Sequence, residues 1–222
     1  MDPNSERGVE QSDPHARTPP PDVDQPGEVT VGEDFSDAVL AGSRWERRSF
    51  EHCDFTEADL RGLRTRGCTF TNCDFTRADL GDSQHELTAF RSCTFYRTTL
   101  SGSRFTGASL LGSTFVECRL RPVTLRETDL TLVGLSGVDL RELSLTGLRL
   151  REANLTDADL RGSDLREADL FGARLLGAKL ADADLRGARI DANGLVQAKL
   201  AGARVDLDTA VAFAAAHGLV VD

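Results

Sequence analysis

Residues 158–170 read ADLRGSDLREADL, in which a leucine preceded by aspartate stands at every fifth position: Leu160, Leu165 and Leu170. On an α-helix, five residues advance roughly 500°, so each leucine would lie about 140° from the previous one and no apolar stripe would form. On a flat strand, an odd step sends successive leucines to opposite faces. The spacing therefore predicts a chain that turns a corner in every five residues, with each leucine pointing inward from its own side of a closed coil.

The five-residue spacing continues without insertion over most of the chain. Stepping by five from Phe35 gives 35 central positions that end at Val205, and all are large and apolar except Thr65 and His85. The residue two positions before each centre is usually small, as in Ala158 and Ser163. We therefore expect a thin, continuous core in which each coil contacts only its neighbours.

The identities of the central residues repeat every 20 residues. Leucine occupies every twentieth position from Leu40 to Leu200, and the two exceptions, Thr65 and His85, are also 20 residues apart. This period predicts a quadrilateral β-helix of eight to nine coils over residues 31–205, an all-β solenoid whose coils hydrogen-bond as parallel strands.

The N-terminal segment, residues 1–30, is predicted to be a disordered acidic tail. It holds six of the seven prolines, and its seven acidic and two basic residues give it −5 of the chain's net charge of −10. Such a composition buries too little apolar surface to offset the entropy of ordering. The sequence has no apolar run long enough for a signal peptide or a membrane helix, which predicts a cytoplasmic protein without membrane contact.

The C-terminal segment, residues 206–222, is predicted to form a helix. Asp208 suits the N-cap, residues 209–217 are strong helix formers, and Gly218 suits the position after the C-cap. Because this helix is apolar nearly all round, one face is expected to cover the last coil and the other to join a second copy in a two-fold homodimer.

Residues that could carry chemistry are few. All five cysteines stand at the small-residue position, so we interpret them as buried structural thiols, and we predict no metal or cofactor. Thr65 and His85 share a column, which indicates a satisfied buried polar pair. The alternative is a polar pocket used by an enzyme, but no catalytic arrangement stands out from the repeat, and we expect no enzymatic activity.

Acidic residues stack 20 residues apart, in line with one another along the predicted rod. The stacked acids are Asp34, Asp54 and Asp74; Asp59 and Asp79; Asp139 and Asp159; and Asp164 and Asp184. Like charges about 4.8 Å apart repel, so a fold that tolerates them can use them. Basic residues also stack, as Arg44 does with Arg64, so a mixed solvated surface is an open alternative. Direct binding to nucleic acid is not expected. The acidic rows instead favour a partner protein whose surface normally binds DNA.

The A(D/N)LXX pattern over residues 33–205 resembles the pentapeptide repeat proteins, a family of right-handed four-sided β-helices. Four stretches are further similar to the mycobacterial fluoroquinolone-resistance (MfpA-type) members of this family. These stretches are SQHELTAFRSCTFYRTTL (83–100), CRLRPVTL (118–125), DLRELSLTGLRLRE (139–152) and RVDLDTAVAFAAAHGL (204–219).

The resemblance implies a dimeric rod that imitates duplex DNA, binds and inhibits DNA gyrase, and lessens the action of fluoroquinolones. The expected gyrase-binding aspartates are Asp54, Asp59, Asp74, Asp79, Asp139, Asp159, Asp164, Asp169 and Asp184. The expected dimerisation residues are Leu207, Val211, Phe213, Ala214 and Leu219, with Phe213 as the apolar anchor. The alternative is a scaffold that binds another protein, which the modest net charge of −5 outside the tail and the extra tail motivate.

Overall fold

The chain folds as an all-β solenoid built from short parallel strands. The computed structural model describes Gly27 and residues 29–221. The strands are β1 (Val29–Val31), β2 (Arg44–Glu46), β3 (Ser49–Glu51), β4 (Arg64–Arg66), β5 (Thr69–Thr71), β6 (Gln84–Glu86), β7 (Ala89–Arg91), β8 (Thr94–Tyr96), β9 (Arg104–Thr106), β10 (Thr114–Val116) and β11 (Thr124–Arg126). They form sheets in the orders β1-β3-β5-β7, β8-β10 and β2-β4-β6-β9-β11. Two helices follow near the C-terminus, α1 (Ala192–Leu195) and α2 (Leu207–Ala216).

Each strand pairs in parallel with residues 20 positions away. Phe50 faces Phe70 across β3 and β5, and the register is the same in the other sheets. Beyond β11 the pairing continues as isolated parallel bridges, including Asp139 with Asp159. In most strands the middle residue is buried and its two neighbours point outward, because side chains alternate along an extended chain. The central residues of the five-residue segments therefore stack as four columns, each named here after one member: the Phe35, Leu40, Trp45 and Phe50 columns.

A left-handed backbone residue makes the corner in most five-residue segments. It stands two positions after the central residue, where Gly162 has φ of 65° and Glu167 has φ of 59°. Glycine adopts this conformation without a steric penalty, whereas other residues pay roughly 1–2 kcal/mol. The predicted corners are thus present along most of the chain, and they limit the strands to three residues.

The core consists of the stacked central residues and the small residues beside them. In the Phe50 column, neighbouring rings are parallel, with centroids 4.9 Å apart between Phe50 and Phe70 and 4.8 Å apart between Phe70 and Phe90. Phenylalanine gives way to leucine towards the C-terminus, and a core cavity of about 30 Å³ lies at this junction beside Phe105 and Leu125. The Arg121–Pro122 peptide bond near the junction is cis, and Pro122 takes the corner position.

The solenoid begins earlier than the predicted boundary at residue 31. Val29–Val31 already pair with Ser49–Glu51, because Thr30 supplies the middle residue of one more strand on the Phe50 column. The expectation of a disordered tail therefore applies at most to residues before Val29. Apart from Gly27, those residues lie outside the part of the chain that the structure describes.

Helix α1 replaces one corner of the predicted β-helix, which continues beyond it to Arg204. Asn193 stands where other repeats bury a small side chain, and in the structure it is exposed. Burying its amide without partners would be costly, so the backbone forms a helical turn instead. Leu195 still points inward at 1% exposure, and Lys179 pairs with Lys199 in the usual register.

Helix α2 begins one residue after Asp206, and the prediction that Asp208 is the N-cap is wrong. The Oδ1 atom of Asp206 accepts a hydrogen bond of 2.9 Å from the Thr209 amide, and its Oδ2 atom accepts one of 3.0 Å from the Gly187 amide. Asp206 thus caps the helix and also ties it to the preceding coil. At the other end, the amides of Gly218 and Leu219 donate to the carbonyls of Ala215 and Ala214, a Schellman motif with Gly218 at its predicted position after the C-cap.

Replacing Asp206 with alanine is expected to lower the free energy of unfolding by about 1 kcal/mol, the usual cost of losing an N-cap. Asp208→Ala is the matched control, since Asp208 only places a charge in the first turn, which contributes about 0.5 kcal/mol. Urea unfolding followed by circular dichroism measures both. A loss from Asp208→Ala as large as that from Asp206→Ala would contradict the assignment of the cap.

Candidate functional site: the acidic surface

The nine predicted aspartates all stand immediately before a central residue, and their side chains therefore point outward. Eight of them stack as in-register pairs: Asp54 with Asp74, Asp59 with Asp79, Asp139 with Asp159, and Asp164 with Asp184. Asp169 instead lies between Arg149 and Arg189 in its row. Every predicted stack of acids is thus present, and Asp169, which was not predicted to stack, has arginines on both sides.

Five of these aspartates form ion pairs with the arginine two residues further on. In the sequence Asp-Leu-Arg the leucine points inward, so the aspartate and the arginine flank it on the same outer surface. At Asp164, the Nε and Nη2 atoms of Arg166 donate to the two carboxylate oxygens at 2.8 and 2.6 Å. The same pairing joins Asp59 to Arg61, Asp139 to Arg141, Asp159 to Arg161, and Asp184 to Arg186. Asp169 pairs with Arg151 at 3.1 Å.

These ion pairs were missed from the sequence, although Asp-Leu-Arg occurs in the stretch that defines the repeat. Arg166 holds the pKa of Asp164 at about 2, below its usual 3.8, chiefly through its side-chain hydrogen bonds. Arg141 likewise lowers the pKa of Asp139. These carboxylates stay charged at neutral pH, but each has a cation beside it. Six of the nine predicted aspartates therefore contribute little to an acidic surface potential.

The acidic column formed by Asp34, Asp54 and Asp74 is different. Each carboxylate accepts a hydrogen bond of 2.8 Å from the backbone amide two residues on, at Ser36, Thr56 and Thr76 in turn. Within Gly27 and residues 29–221, no ion pair includes Asp34, Asp54 or Asp74.

Asp79 also lacks an ion pair in the described part of the chain, and it accepts from the Gly81 amide. Among the nine predicted aspartates, the three without an ion pair in the described chain, Asp54, Asp74 and Asp79, therefore lie towards the N-terminal end of the rod. They lie on the outer surfaces of the Phe35 and Leu40 columns.

The C-terminal segment leaves apolar side chains exposed, as predicted. Leu207 is 77% exposed, Val211 39% and Leu219 64%. Phe213 and Ala214 are only half-buried, and Phe213 packs against the core of its own chain and against the His217 ring. Part of the Phe213 side chain is therefore covered by its own chain. Leu207, Val211 and Leu219 form the outward apolar surface.

Thr65 and His85 lie in the sealed interior, at 3% and 1% exposure. The two ring nitrogens of His85 are 2.8 Å from the Thr65 hydroxyl and 2.9 Å from the Ser83 hydroxyl, and Thr65 is also 2.9 Å from the Thr88 hydroxyl. Neighbouring hydroxyls thus provide hydrogen-bond partners for Thr65 and His85, which confirms the prediction of a satisfied buried polar pair. Burial lowers the pKa of His85 from 6.5 to about 3, so the ring is neutral at physiological pH.

This buried histidine makes stability depend on pH. Below pH 6.5 the histidine is protonated in the unfolded chain but stays neutral in the folded chain. The free energy of unfolding is therefore expected to fall by about 1.4 kcal/mol per pH unit as the pH is lowered from 6 to 4. Comparing the free energy of unfolding of the wild type and of His85→Gln across this range isolates the contribution, since the surface carboxylates are common to both. Equal slopes for the two proteins would contradict it.

The five cysteines are free thiols, four of them buried and Cys118 half-buried. The Sγ atom of Cys68 lies 3.3 Å from the Trp45 carbonyl, and burial raises the pKa of this thiol. No group of three or more His, Cys, Asp or Glu side chains among the described residues is arranged to hold a metal ion. None of the helices in that part of the chain is long and apolar enough to cross a bilayer.

Comparison with known proteins identifies the family. The family model for pentapeptide repeats matches residues 34–71, 53–84, 88–121, 135–172, 149–187 and 168–205. The chain belongs to the pentapeptide repeat family. No curated protein sequence matches it significantly.

Among solved structures, the fold is similar to that of QnrB1, described as a plasmid-mediated fluoroquinolone resistance protein. The full-length QnrB1 structure has a TM-score of 0.76 and 22% identity, over 88% of this chain and 99% of QnrB1. A trypsin-treated QnrB1 variant has a TM-score of 0.75 and 24% identity, over 88% of this chain and 98% of that one. At these identities the likeness establishes a common fold.

Proposed function

We propose that this protein is a DNA mimic that binds and inhibits DNA gyrase and so protects it from fluoroquinolones. In this proposal it acts in the cytoplasm as a homodimer, without catalysis and without binding nucleic acid itself. The proposal includes a right-handed quadrilateral coil of eight to nine turns. The fold shared with a fluoroquinolone resistance protein supports the proposal, and the acidic column carries it.

The acidic column offers a regular line of negative charge that no cation in the described chain neutralises. Its carboxylates recur once per coil, about 4.8 Å apart, whereas duplex DNA carries one charge per roughly 1.7 Å of its axis. One column therefore supplies only about a third of the charge density of DNA. Asp79 on the neighbouring column adds to it, and a dimer would repeat the surface at both ends. Electrostatic complementarity of this kind favours encounter with a DNA-binding protein surface.

The exposed apolar residues of α2 and of the segment after it support the dimer. Leu207, Val211 and Leu219 are followed by Val220 and Val221, which are also exposed. A two-fold axis through this end would bury the same patch of both copies and would align two solenoids as one longer rod. Sedimentation of the wild type and of Val211→Asp tests the dimer. The wild type should sediment with the mass of a dimer and the variant with that of a monomer.

A supercoiling assay with purified DNA gyrase and the full chain tests the function. Inhibition at low micromolar protein is expected, with fewer fluoroquinolone-stabilised cleavage complexes in a parallel cleavage assay. Topoisomerase I relaxation of the same plasmid is the control and should be unaffected, since the protein is not expected to bind DNA. No inhibition of gyrase at about 50 µM protein would overturn the proposal.

A second candidate is a scaffold that binds a different protein. The observation that favours it is the neutralisation of six predicted acids by arginine, which leaves most of the rod with mixed charge. Affinity capture with the wild type and with Asp54→Asn/Asp74→Asn distinguishes the two. Gyrase that is captured by the wild type and lost with the variant favours the DNA mimic, whereas another protein retained by both favours the scaffold.

A further inference from the structure

A groove runs across the outer surface of the Trp45 column, over strands β2, β4, β6 and β9. Its volume is about 430 Å³, and the buried residues Trp45, Thr65 and His85 are among those that line it. The charged side chains that line it are Arg44, Glu46, Arg64, Arg66, Glu86 and Arg104. Four arginines and two glutamates give the groove a net charge of +2, in a chain whose net charge is −10.

Three of these arginines form one row along the groove. Arg44 pairs in register with Arg64, Arg64 with Gln84, and Gln84 with Arg104. All are exposed, and no ion pair among the described residues includes Arg44, Arg64 or Arg104; only Arg66 has an acidic partner, Glu86 at 3.6 Å. This is the reverse of the Asp-Leu-Arg segments, where each arginine already holds a carboxylate.

A row of uncompensated guanidinium groups is suited to a carboxylate-rich peptide. Each guanidinium can bind a carboxylate through two parallel hydrogen bonds, and its charge repels the next arginine along the row unless an anion lies between them. The spacing of one strand per coil places successive arginines along a line that an extended peptide could follow.

The chain itself supplies such a peptide next to the groove. Residues 1–26 contain six acidic and two basic residues, a net charge of −4. The next residue, Gly27, donates its amide to the Arg47 carbonyl at 2.9 Å. Because Arg47 directly follows strand β2, the tail joins the solenoid at the edge of the groove. Twenty-six residues can extend to about 85 Å, whereas the row from Arg44 to Arg104 spans three coils, or about 14 Å.

We propose that the groove is a binding site for an acidic peptide segment and that its occupant is residues 1–26 of the same chain. The tail needs no apolar core of its own for this contact, because charge complementarity with the arginine row supplies the attraction. The proposal does not depend on gyrase binding, and it explains why an acidic rod keeps an unpaired basic row beside the start of its solenoid.

Nuclear magnetic resonance on the full chain tests the contact. In Asp13→Asn/Asp22→Asn/Asp24→Asn, the backbone amide shifts of Arg44, Arg64, Gln84 and Arg104 should differ from those of the wild type, while amides on the Phe35 column stay unchanged. The difference should shrink severalfold in 0.5 M NaCl, because exposed charges are screened. Unchanged shifts at the arginine row would overturn the proposal.

The reciprocal variant Arg44→Gln/Arg64→Gln should shift the signals of residues 10–26. Arg119→Gln/Arg174→Gln is the matched control, since it removes two exposed arginines outside the groove that also have no ion pair in the described chain, and it should leave those signals in place. Equal effects of the two variants would show a general charge effect and overturn the proposal. Tail shifts that depend on protein concentration between about 20 and 500 µM would assign the groove to the tail of a second copy and overturn the intramolecular contact. Shifts of the arginine row produced by 10 mM phosphate in the wild type, with the tail signals unmoved, would assign it to a small anion and overturn it as well.

Discussion

Replacing Phe70 with alanine is expected to lower the free energy of unfolding by about 3–5 kcal/mol, one of the two largest effects that the structure predicts. Phe70 is fully buried, and its ring lies parallel to the Phe50 and Phe90 rings at 4.9 and 4.8 Å. Alanine would leave a gap in the middle of the column. The coils are held in register by backbone pairing on either side, so they cannot collapse to fill it.

Phe171→Ala is the matched control for this substitution. Phe171 is 41% exposed, and its ring lies between the guanidinium groups of Arg151 and Arg189, at 5.1 and 5.0 Å. We expect a loss of about 1 kcal/mol or less, because only exposed cation–π contacts are removed. Urea unfolding curves for the two variants give the comparison. Similar losses from both substitutions would mean that the phenylalanine column does not form the core.

The second large effect concerns inhibition of gyrase by the unpaired carboxylates. The double substitution Asp54→Asn/Asp74→Asn is expected to raise the concentration needed for half-inhibition at least tenfold. Asparagine can still accept the hydrogen bonds that Asp54 and Asp74 receive from the Thr56 and Thr76 amides, so the corner should be preserved. What is lost is two adjacent charges in the acidic column.

Asp164→Asn/Asp184→Asn makes the same change in net charge at the other end of the rod and serves as the control. These two aspartates already hold Arg166 and Arg186, so their removal is expected to change inhibition less than threefold. Supercoiling assays on both variants at one salt concentration give the comparison, since exposed charges are screened by salt. Equal losses would show that gyrase responds to total charge rather than to the acidic column.

The repeat could be predicted from the sequence because one physical requirement recurs in every segment. Each inward position needs a large apolar residue, each neighbouring position a small one, and each corner a residue that tolerates left-handed φ. At α1, Asn193 occupies the small-residue position but is exposed, and the repeat pattern does not show whether such an amide finds partners in the interior. The N-cap was misplaced by two residues because Asp206 and Asp208 are both suitable caps, and what separates them is that the Thr209 and Gly187 amides both donate to Asp206.

The candidate site was predicted less well than the fold. Stacking of the acids could be predicted from the period of 20. Whether each carboxylate is neutralised by a cation depends on the residue two positions further on. Asp54 is followed by Thr56, whereas Asp164 is followed by Arg166, and this difference separates an unpaired carboxylate from an ion pair. The pattern is local and visible in the sequence once the corner geometry is known.

The constant register of 20 residues has a consequence for how such a chain can vary over evolution. Each segment contacts the segments one coil before and one coil after it, so adding or removing a whole coil leaves every remaining column aligned. A gain or loss of 5, 10 or 15 residues would instead place leucines under phenylalanines and rotate every charged row around the axis. The length of the rod can therefore change by tandem duplication in steps of one coil, while single substitutions at outward positions redraw its surface without disturbing the interior.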